Sequence, residues 1–261
     1  MILKRKIYKK LLEWKNECQG KKALLIEGAR RIGKSTICEE FGKNEYESYL
    51  LIDFAKKDKE VEMYFERYLN DLDTFFMLLQ THFGTKLTER NSLIIFDEVQ
   101  MFPQARAAIK YLVADGRYDY IETGSLISIR ENVKNIVIPS EERNINMYPL
   151  DFEEFAIALE EDLLVEYIKK CFEKREPLER SMHNQAMLLF HQYMLVGGMP
   201  MPVVAFIESK KDFTEPDKEK RDILKLYRED IMKIDMRYRS KVLAIYDQIP
   251  GFLSQHEKRV V

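Results

Sequence analysis

A glycine-framed segment near the N-terminus sets the first requirement that any fold of this chain must meet. It runs from Gly28 to Ser35 with the pattern G-x-x-x-x-G-K-[ST], and a short apolar run, residues 23–26, precedes it. The two glycines permit backbone angles and a close backbone approach that a Cβ would obstruct. A strand, such a loop and a following helix aim several backbone N–H groups at one anion. The pattern therefore predicts a phosphate-binding loop between a strand and a helix.

The side chains of the same segment indicate a nucleotide as the source of the phosphate. Lys34 can reach the β- and γ-phosphates as a mobile point charge, and the Ser35 hydroxyl can ligate Mg²⁺. Arg30 and Arg31 either add positive charge near the phosphates or pair with an acidic neighbour. The sequence N-K-x-D, which would indicate guanine, is absent, so we expect ATP and Mg²⁺ as ligands. The predicted nucleotide-binding residues are Gly28, Arg31, Ile32, Gly33, Lys34, Ser35 and Thr36.

Composition limits the classes of protein to which the chain can belong. With 261 residues, 46% of them hydrophobic, and a formal net charge of −2, the chain can build a sizeable core and has no global preference for nucleic acid. Its three cysteines are far apart, which argues against a zinc site or a disulfide framework and fits a reduced compartment. No apolar run approaches the ~20 residues that a membrane span needs, and no signal-peptide core is present. We expect a cytoplasmic protein without a membrane segment.

Residues 1–15 form a basic segment that has two interpretations. As a basic amphipathic helix, the segment could touch a membrane or nucleic acid. Alternatively, Ile7, Leu11 and Trp14 lie on one helix face and pack against the body of the protein. The second interpretation is favoured.

Short apolar runs alternate with helical patterns over the first part of the chain, which predicts an α/β fold. Apolar residues recur at helical spacing over residues 56–83, so we expect one helix there, or two with a break near residues 70–73. A further helix is expected to begin at Pro103 and to end before Gly116. The predicted strands are residues 23–26, 48–53, 92–98 and 118–123, with residues 135–139 and 145–148 as candidates for a fifth and a sixth.

Two acidic residues, Asp97 and Glu98, end the third predicted strand after four apolar residues. The carboxyl ends of parallel strands are where ligands of α/β proteins bind, so these carboxylates are expected near the phosphate loop. Asp97 is predicted to hold Mg²⁺ together with Ser35. Glu98 is predicted to act as the general base, or to orient the attacking water.

The fourth predicted strand leads to Gly124 and Ser125. A polar side chain at this strand tip would lie near the γ-phosphate and could sense its loss. Ser125 is our candidate for that contact, and Thr123 is the second choice. Alternatively, Ser125 caps a helix over residues 126–133, and the two roles are compatible.

The change from alternating elements to helices alone indicates a boundary near residue 150. Asp151 can cap the next helix, and Glu154 would complete a capping box. Glycines and prolines at residues 197–202 predict a stop between later helices, and the charged residues 210–220 predict a solvated loop. The predicted divisions are a P-loop domain at 1–150, a helical lid-like domain at 151–242, and a tail or the start of a further domain at 243–261.

Six segments together resemble one family. They are GARRIGKST, LIIFDEVQ, ETGS, YPLDFEEF, GGMP and LYREDI, and they are similar to segments of the prokaryotic AAA-type ATPases that carry a C-terminal domain of unknown function. YPLDFEEF and GGMP are the segments more particular to this group. The resemblance implies an ATPase core with a mainly parallel, five-stranded sheet in an AAA-like strand order, followed by a smaller all-helical region. It also implies a further C-terminal portion, so we expect this chain to be a fragment or a truncated member.

The resemblance also implies that one of two arginines could act as a catalytic residue. Family members usually have Gly-Arg before the Pro-Leu segment, and here the pair is Glu142-Arg143, so Arg143 could act on the γ-phosphate although the glycine differs. Arg130 is at the position where AAA-type proteins place an arginine that works in trans. Either arginine could instead form a surface salt bridge. An arginine acting in trans requires a homo-oligomer, whereas a signalling monomer does not.

Three functions are open from the sequence. The first is a Mg²⁺-dependent AAA-type ATPase that couples hydrolysis to a conformational change acting on an unidentified macromolecule. The second is a slow or non-hydrolysing switch that holds ATP or ADP. A small-molecule kinase is disfavoured, because Asp-Glu after the third strand suits a hydrolase that activates water. DNA or protein as partner follows from the resemblance alone. The predicted catalytic residues are Lys34, Glu98, Ser125, Arg130 and Arg143, and the predicted metal ligands are Ser35 and Asp97.

Overall fold

The computed structural model describes residues 1–125, 140–232 and 234–254 of the chain. Its strands are β1 Ala23–Gly28, β2 Ser48–Asp53, β3 Ser92–Asp97, β4 Asp119–Ser125 and β5 Glu142–Met147. They pair in the order β2-β3-β4-β1-β5, and every pairing is parallel. The predicted α/β class with a five-stranded parallel sheet in an AAA-like order is thereby confirmed. Because the strands are parallel, β1, β3 and β4 all deliver their following residues to the same edge of the sheet.

Four of the predicted strands form where the apolar runs indicate, whereas the fifth differs. Residues 135–139, the first candidate, lie outside the described residues. The observed β5, Glu142–Met147, overlaps the second candidate at 145–148 and begins three residues earlier. Among the described residues, this strand pairs with β1 alone, and it leaves most of its residues partly or fully exposed. An edge strand of this kind needs no continuous apolar run, so its start could not be located from hydrophobicity.

The helices of the first part are α1 Ile7–Cys18, α2 Lys34–Glu45, α3 Lys59–Arg67, α4 Leu72–Phe83 and α5 Pro103–Asp115. The predicted break between α3 and α4 is confirmed. Asp71 ends the break because its side chain accepts a hydrogen bond from the Thr74 N–H at 3.2 Å, which caps α4. Pro103 begins α5, where its missing N–H costs nothing.

The helices cover both faces of the sheet with two apolar layers. One layer is rich in aromatic side chains, and Phe65, Phe75 and Phe96 are fully buried in it. The other layer contains Leu11 and Trp14 of α1 together with residues of β1 and α2. The N-terminal helix therefore packs on the body of the protein, as favoured from its sequence.

Within the described residues, every strand precedes residue 150 and only helices follow it. They are α6 Phe152–Ala158, α7 Asp162–Lys174, α8 Arg180–Val196, α9 Pro200–Glu208, α10 Thr214–Ile231 and α11 Met236–Ser254. The loop predicted over residues 210–220 is helical from Thr214, since Pro216 lies in the first turn, where proline is tolerated. Residue 243 lies inside α11, so no break marks the predicted tail. The division into domains stays a prediction. None of the helices in the described ranges is long and apolar enough to cross a membrane.

The two parts meet at Leu150, between β5 and α6. The Leu150 N–H donates to the Gly198 carbonyl at 2.7 Å, and the Tyr193 hydroxyl donates to the Leu150 carbonyl at 2.9 Å. The predicted capping box is confirmed: the Glu154 N–H donates to Asp151, and the Asp151 N–H donates to Glu154. The Pro-Leu segment and the later Gly-Gly segment therefore form one junction.

Gly198→Ala is expected to loosen this junction. A Cβ at this position would lie 2.1 Å from the Leu150 carbonyl oxygen, and backbone atoms cannot yield cheaply, so the free energy of unfolding should fall by about 1–3 kcal/mol. Gly251→Ala is the matched control, because a Cβ there meets nothing within 4 Å. Urea denaturation followed by circular dichroism measures both. Equal midpoints for the two variants would contradict the prediction.

Candidate functional site

The phosphate loop has the backbone shape that its glycines indicate. A Cβ on Gly28 would lie 2.4 Å from the Met147 carbonyl oxygen at the end of β5, so only glycine fits there. Gly33 and Arg31 have positive φ angles, 91° and 68°. Residues of alternating handedness turn successive N–H groups to one side and form a concave anion-binding surface. The helix α2 begins directly after it, at Lys34, and adds the free N–H groups of its first turn.

Lys34 is folded back into this loop. Its ammonium group donates to the carbonyl oxygens of Gly28 at 3.1 Å and Ala29 at 2.9 Å. Burial lowers the pKa of Lys34, and the nearby carboxylates of Glu98 and Asp97 oppose that shift. The lysine is therefore held within the loop by acceptors that phosphate oxygens could replace.

Ser35, Asp97 and Thr123 meet at the carboxyl edge of the sheet. The Ser35 hydroxyl donates to Asp97 Oδ1 at 2.9 Å, and the Thr123 hydroxyl donates to the same oxygen. Asp97 is 8% exposed and Thr123 is fully buried. Three separate elements thus converge on one carboxylate: the start of α2, the end of β3 and the end of β4. Across the residues that can be described, no cluster of three or more His, Cys, Asp or Glu side chains could hold a metal ion.

Glu98 follows Asp97 directly in an unusual backbone conformation. Its φ angle is 52°, in the left-handed region that few residues other than glycine adopt. The Glu98 N–H donates to the Thr123 hydroxyl at 3.3 Å, and the Gln100 side chain donates to the Glu98 carboxylate. Strained backbone of this kind is concentrated at functional sites.

Comparison with known proteins identifies the family of this chain. A family model described as "AAA domain" matches residues 20–156, which are 137 of the 261 residues. The chain belongs to this AAA domain family. No curated protein matches the sequence significantly. Among solved structures, that of PCH-2 from C. elegans is similar with 9% sequence identity and a TM-score of 0.41, over 78% of this chain and 63% of that one. The matched part is thus less than two thirds of that chain.

In this AAA domain, most of the predicted site residues come together. The loop residues 28–36, the carboxylates of Asp97 and Glu98, and the tip of β4 all lie at one edge of the sheet. Ser125 is level with Gly28 in the pairing of β4 with β1. Thr123, the second choice at this tip, contacts Asp97 through its hydroxyl.

The structure does not bring Arg143 to the phosphate loop. Arg143 is level with Leu24 of β1, whereas the loop begins after Gly28, which is level with Met147. Four residues of strand correspond to roughly 13 Å along the sheet. Arg143 instead forms a salt bridge with Glu17 at 2.6 Å, which is the surface salt bridge that the sequence offered as an alternative. The separation of Arg143 from the loop follows from the course of β5, which begins at residue 142 and runs toward the loop. The action of Arg143 on the γ-phosphate stays a prediction. Arg130 lies outside the described residues.

Sequence reasoning missed three residues that contact the loop from outside. Arg5 donates to the Ile32 carbonyl at 3.0 Å, Tyr227 donates to the Arg30 carbonyl at 3.0 Å, and Asp230 pairs with the Arg30 guanidinium at 2.8 Å. Of the two alternatives for Arg30, pairing with an acidic residue is therefore the one observed. The segment LYREDI, which contains Tyr227 and Asp230, carried the signal only as part of the family resemblance.

A buried acidic cluster lies one residue before Thr123. Glu122 is fully buried on β4. Arg106 of α5 donates to both carboxylate oxygens of Glu142, at 3.1 and 2.9 Å, and the side chain of Glu142 is buried as well. Burial raises the pKa of Glu122 well above its usual range; the Glu142 charge adds to this shift, and Arg106 opposes it. Arg106 thus bonds directly to Glu142, and Glu122 lies in the same buried cluster.

The free energy of unfolding of wild type is expected to fall as the pH rises because of Glu122, and the substitution Glu122→Gln is expected to abolish this fall. The unfolded glutamate releases its proton near pH 4.5, whereas the folded one retains it, so wild-type stability falls above that pH, by up to about 1.4 kcal/mol per pH unit. Glutamine is always neutral and lacks this contribution. Urea denaturation between pH 5 and pH 8 should therefore show that the free energy of unfolding of the variant, relative to that of wild type, increases as the pH rises. Glu173→Gln, at an exposed position of α7, is the control, and a constant difference between Glu122→Gln and wild type would contradict the prediction.

Proposed function

We propose that this AAA-domain protein is a Mg²⁺-dependent ATPase that couples ATP hydrolysis to a conformational change acting on an unidentified macromolecule. The observation that carries the proposal is the contact between Ser35 and Asp97 at 2.9 Å. It joins the residue after the phosphate-loop lysine to a carboxylate 62 positions later, at the edge of the sheet where the loop emerges. Glu98, the next residue, supplies a second carboxylate beside it.

The residues present fit a magnesium ion. Mg²⁺ prefers oxygen ligands and is held in proteins by one or two carboxylates together with water and substrate phosphates. Asp97 and the Ser35 hydroxyl, which are 2.9 Å apart, provide such oxygen ligands. When bound, the ion would neutralise charge on the phosphates.

The chain's own residues would bind and orient the nucleotide. Lys34 exchanges the carbonyls of Gly28 and Ala29 for phosphate oxygens, and the N–H groups of the loop and of α2 hold the phosphates between them. Ser125, level with Gly28, contacts the terminal phosphate. Thr123 acts on the nucleotide through other residues, because its hydroxyl holds both Asp97 and the Glu98 backbone.

Glu98 prepares the attacking water. Its carboxylate can accept a proton from water or orient it, provided that it turns from Gln100 toward the terminal phosphate. The Gln100 contact is therefore a resting arrangement that must be released before hydrolysis.

The same contact favours a second candidate function. If Gln100 retains Glu98 when nucleotide is bound, hydrolysis is slow and the protein acts as a nucleotide-loaded signalling switch. Tightly bound ADP in the purified protein, without turnover at high enzyme concentration, would support the switch over the ATPase.

Two substitutions in the site test the proposal. Lys34→Ala should weaken ADP binding roughly tenfold to a hundredfold, since charge-assisted bonds to phosphate are lost. Glu98→Gln should bind nucleotide normally and lower kcat roughly a hundredfold or more, since general-base catalysis is lost. Isothermal titration and phosphate release measure the two effects.

Lys43→Ala, an exposed lysine at the end of the same helix, is the control for charge. ATP turnover in wild type equal to that of Lys34→Ala would contradict the ATPase proposal. Unchanged turnover in Glu98→Gln would remove Glu98 from its role.

Thr123→Val is expected to lower kcat roughly tenfold without loss of nucleotide binding. Valine keeps the shape of threonine but removes the hydroxyl that holds Asp97 and the Glu98 N–H, and a lost buried hydrogen bond costs on the order of 1 kcal/mol or more. Thr81→Val removes a hydroxyl from an exposed position of α4 and is the control. Phosphate-release rates at saturating ATP measure the effect, and equal rates in the two variants would show that Thr123 does not position the carboxylates.

A further inference from the structure

Two carbonyl groups of the phosphate loop are held from outside the loop. The Ile32 carbonyl accepts a hydrogen bond from Arg5 Nη1 at 3.0 Å, and the Arg30 carbonyl accepts one from the Tyr227 hydroxyl at 3.0 Å. One donor comes from the segment before α1 and the other from α10. In sequence, the first therefore precedes all the strands of the sheet that have been described, and the second follows them. Neither side chain belongs to the glycine-framed pattern.

The planarity of the peptide bond gives these two contacts a consequence inside the loop. In a trans peptide, the C=O of one residue and the N–H of the next point in opposite directions. The described residues contain no cis peptide bond. A donor that draws the Arg30 carbonyl outward therefore turns the Arg31 N–H inward, and a donor on the Ile32 carbonyl does the same for the Gly33 N–H. A loop that cradles an anion requires inward N–H groups.

We propose that Arg5 and Tyr227 are positioning residues, which orient the backbone N–H groups of Arg31 and Gly33 toward the phosphates of the bound nucleotide. The inference rests on the proposed nucleotide-binding function and extends it to residues outside the loop. Arg31 and Gly33 are the two loop residues with positive φ angles. Glycine adopts such an angle without steric cost, whereas the conformation of Arg31 persists only where the surroundings over-determine it. The hydrogen bond from Tyr227 to the adjacent Arg30 carbonyl contributes to that determination.

Arg5 is itself rigidly held. Its guanidinium donates to Glu154 at 3.3 Å and to the Tyr148 carbonyl at 2.6 Å, in addition to Ile32, and its side chain is 6% exposed. Glu154 is fixed in turn by the capping box at the start of α6 and by the Lys6 N–H at 2.6 Å. A planar fork with three fixed acceptors has little freedom to move, so it can impose an orientation on the loop.

Tyr227 is placed by α10, which also contacts the loop through Asp230. The tyrosine is half-buried, and burial raises its pKa, so the hydroxyl keeps the proton that it donates. Asp230, one turn later on α10, pairs with the guanidinium of Arg30. The helix therefore holds Arg30 through both its main chain and its side chain.

The loss of either donor should change nucleotide binding in a specific way. The N–H groups of the loop contact phosphate in the ground state and in the transition state alike. Weakening such uniform binding raises Kd and KM and leaves kcat unchanged. A variant that merely unfolds part of the protein would instead lower the active fraction and the apparent kcat.

The test compares two tyrosine variants. Tyr227→Phe removes only the hydroxyl on the loop, and Tyr246→Phe removes a hydroxyl that donates to the Leu224 carbonyl of the same helix α10 at 3.3 Å. Titration with ADP and Mg²⁺ should show Kd raised about three- to tenfold for Tyr227→Phe, and unchanged for Tyr246→Phe. The KM for ATP should rise by the same factor at constant kcat.

Arg5→Lys provides a second, independent variant. Lysine keeps the positive charge but cannot make the planar fork, so Kd for ADP should rise at least as much as in Tyr227→Phe. Thermal unfolding of the nucleotide-free proteins shows whether each variant folds.

The outcomes separate this proposal from the one on which it rests. If Lys34→Ala loses ADP binding while Tyr227→Phe binds like Tyr246→Phe, nucleotide binding stands and the positioning role is overturned. A fall in kcat at unchanged Kd overturns it as well. If wild type binds ADP no better than Lys34→Ala, nucleotide binding itself fails, and the positioning role fails with it.

Discussion

The parallel pairing of β1 with β4 on one side and β5 on the other is the interaction on which the site depends. It places Gly28 level with Ser125 and with Met147. The Met147 carbonyl then leaves no room for a Cβ on Gly28. One strand beyond β4, β3 ends at the same edge, which brings Asp97 within hydrogen-bond distance of Ser35. A shift in this register would separate the phosphate loop from both carboxylates.

The helical part is attached to the phosphate loop rather than merely following it. Arg5 joins the loop to Glu154 at the start of α6, and α10 binds Arg30 through Tyr227 and Asp230. Pro200, at the start of α9, lies beside Gly33, since a Cβ there would be 3.7 Å from its ring. In the ATPase that we propose, a rearrangement of the loop on binding phosphate would therefore reach several helices through these direct contacts.

Local pattern predicted much of the fold and the centre of the site. The strands β1 to β4 are buried apolar runs, the break before Leu72 carries its own aspartate cap, and the capping box at Asp151 is encoded within four residues. These features depend on neighbours in sequence. The start of β5 was missed because an edge strand needs no apolar run, and the start of α10 was missed because an exposed helix needs few apolar residues.

The sequence by itself determined the phosphate loop, the two carboxylates at the end of β3 and most of the succession of strands and helices along the chain, because each is specified by residues that are adjacent or regularly spaced. Only the tertiary structure decided that Thr123 contacts Asp97, that Arg143 pairs with Glu17 away from the loop, and that Arg5 and Tyr227 hold the loop carbonyls. Tyr227 and Arg30 are 197 residues apart. Contacts over such separations depend on how the elements pack, and no spacing within the chain encodes them.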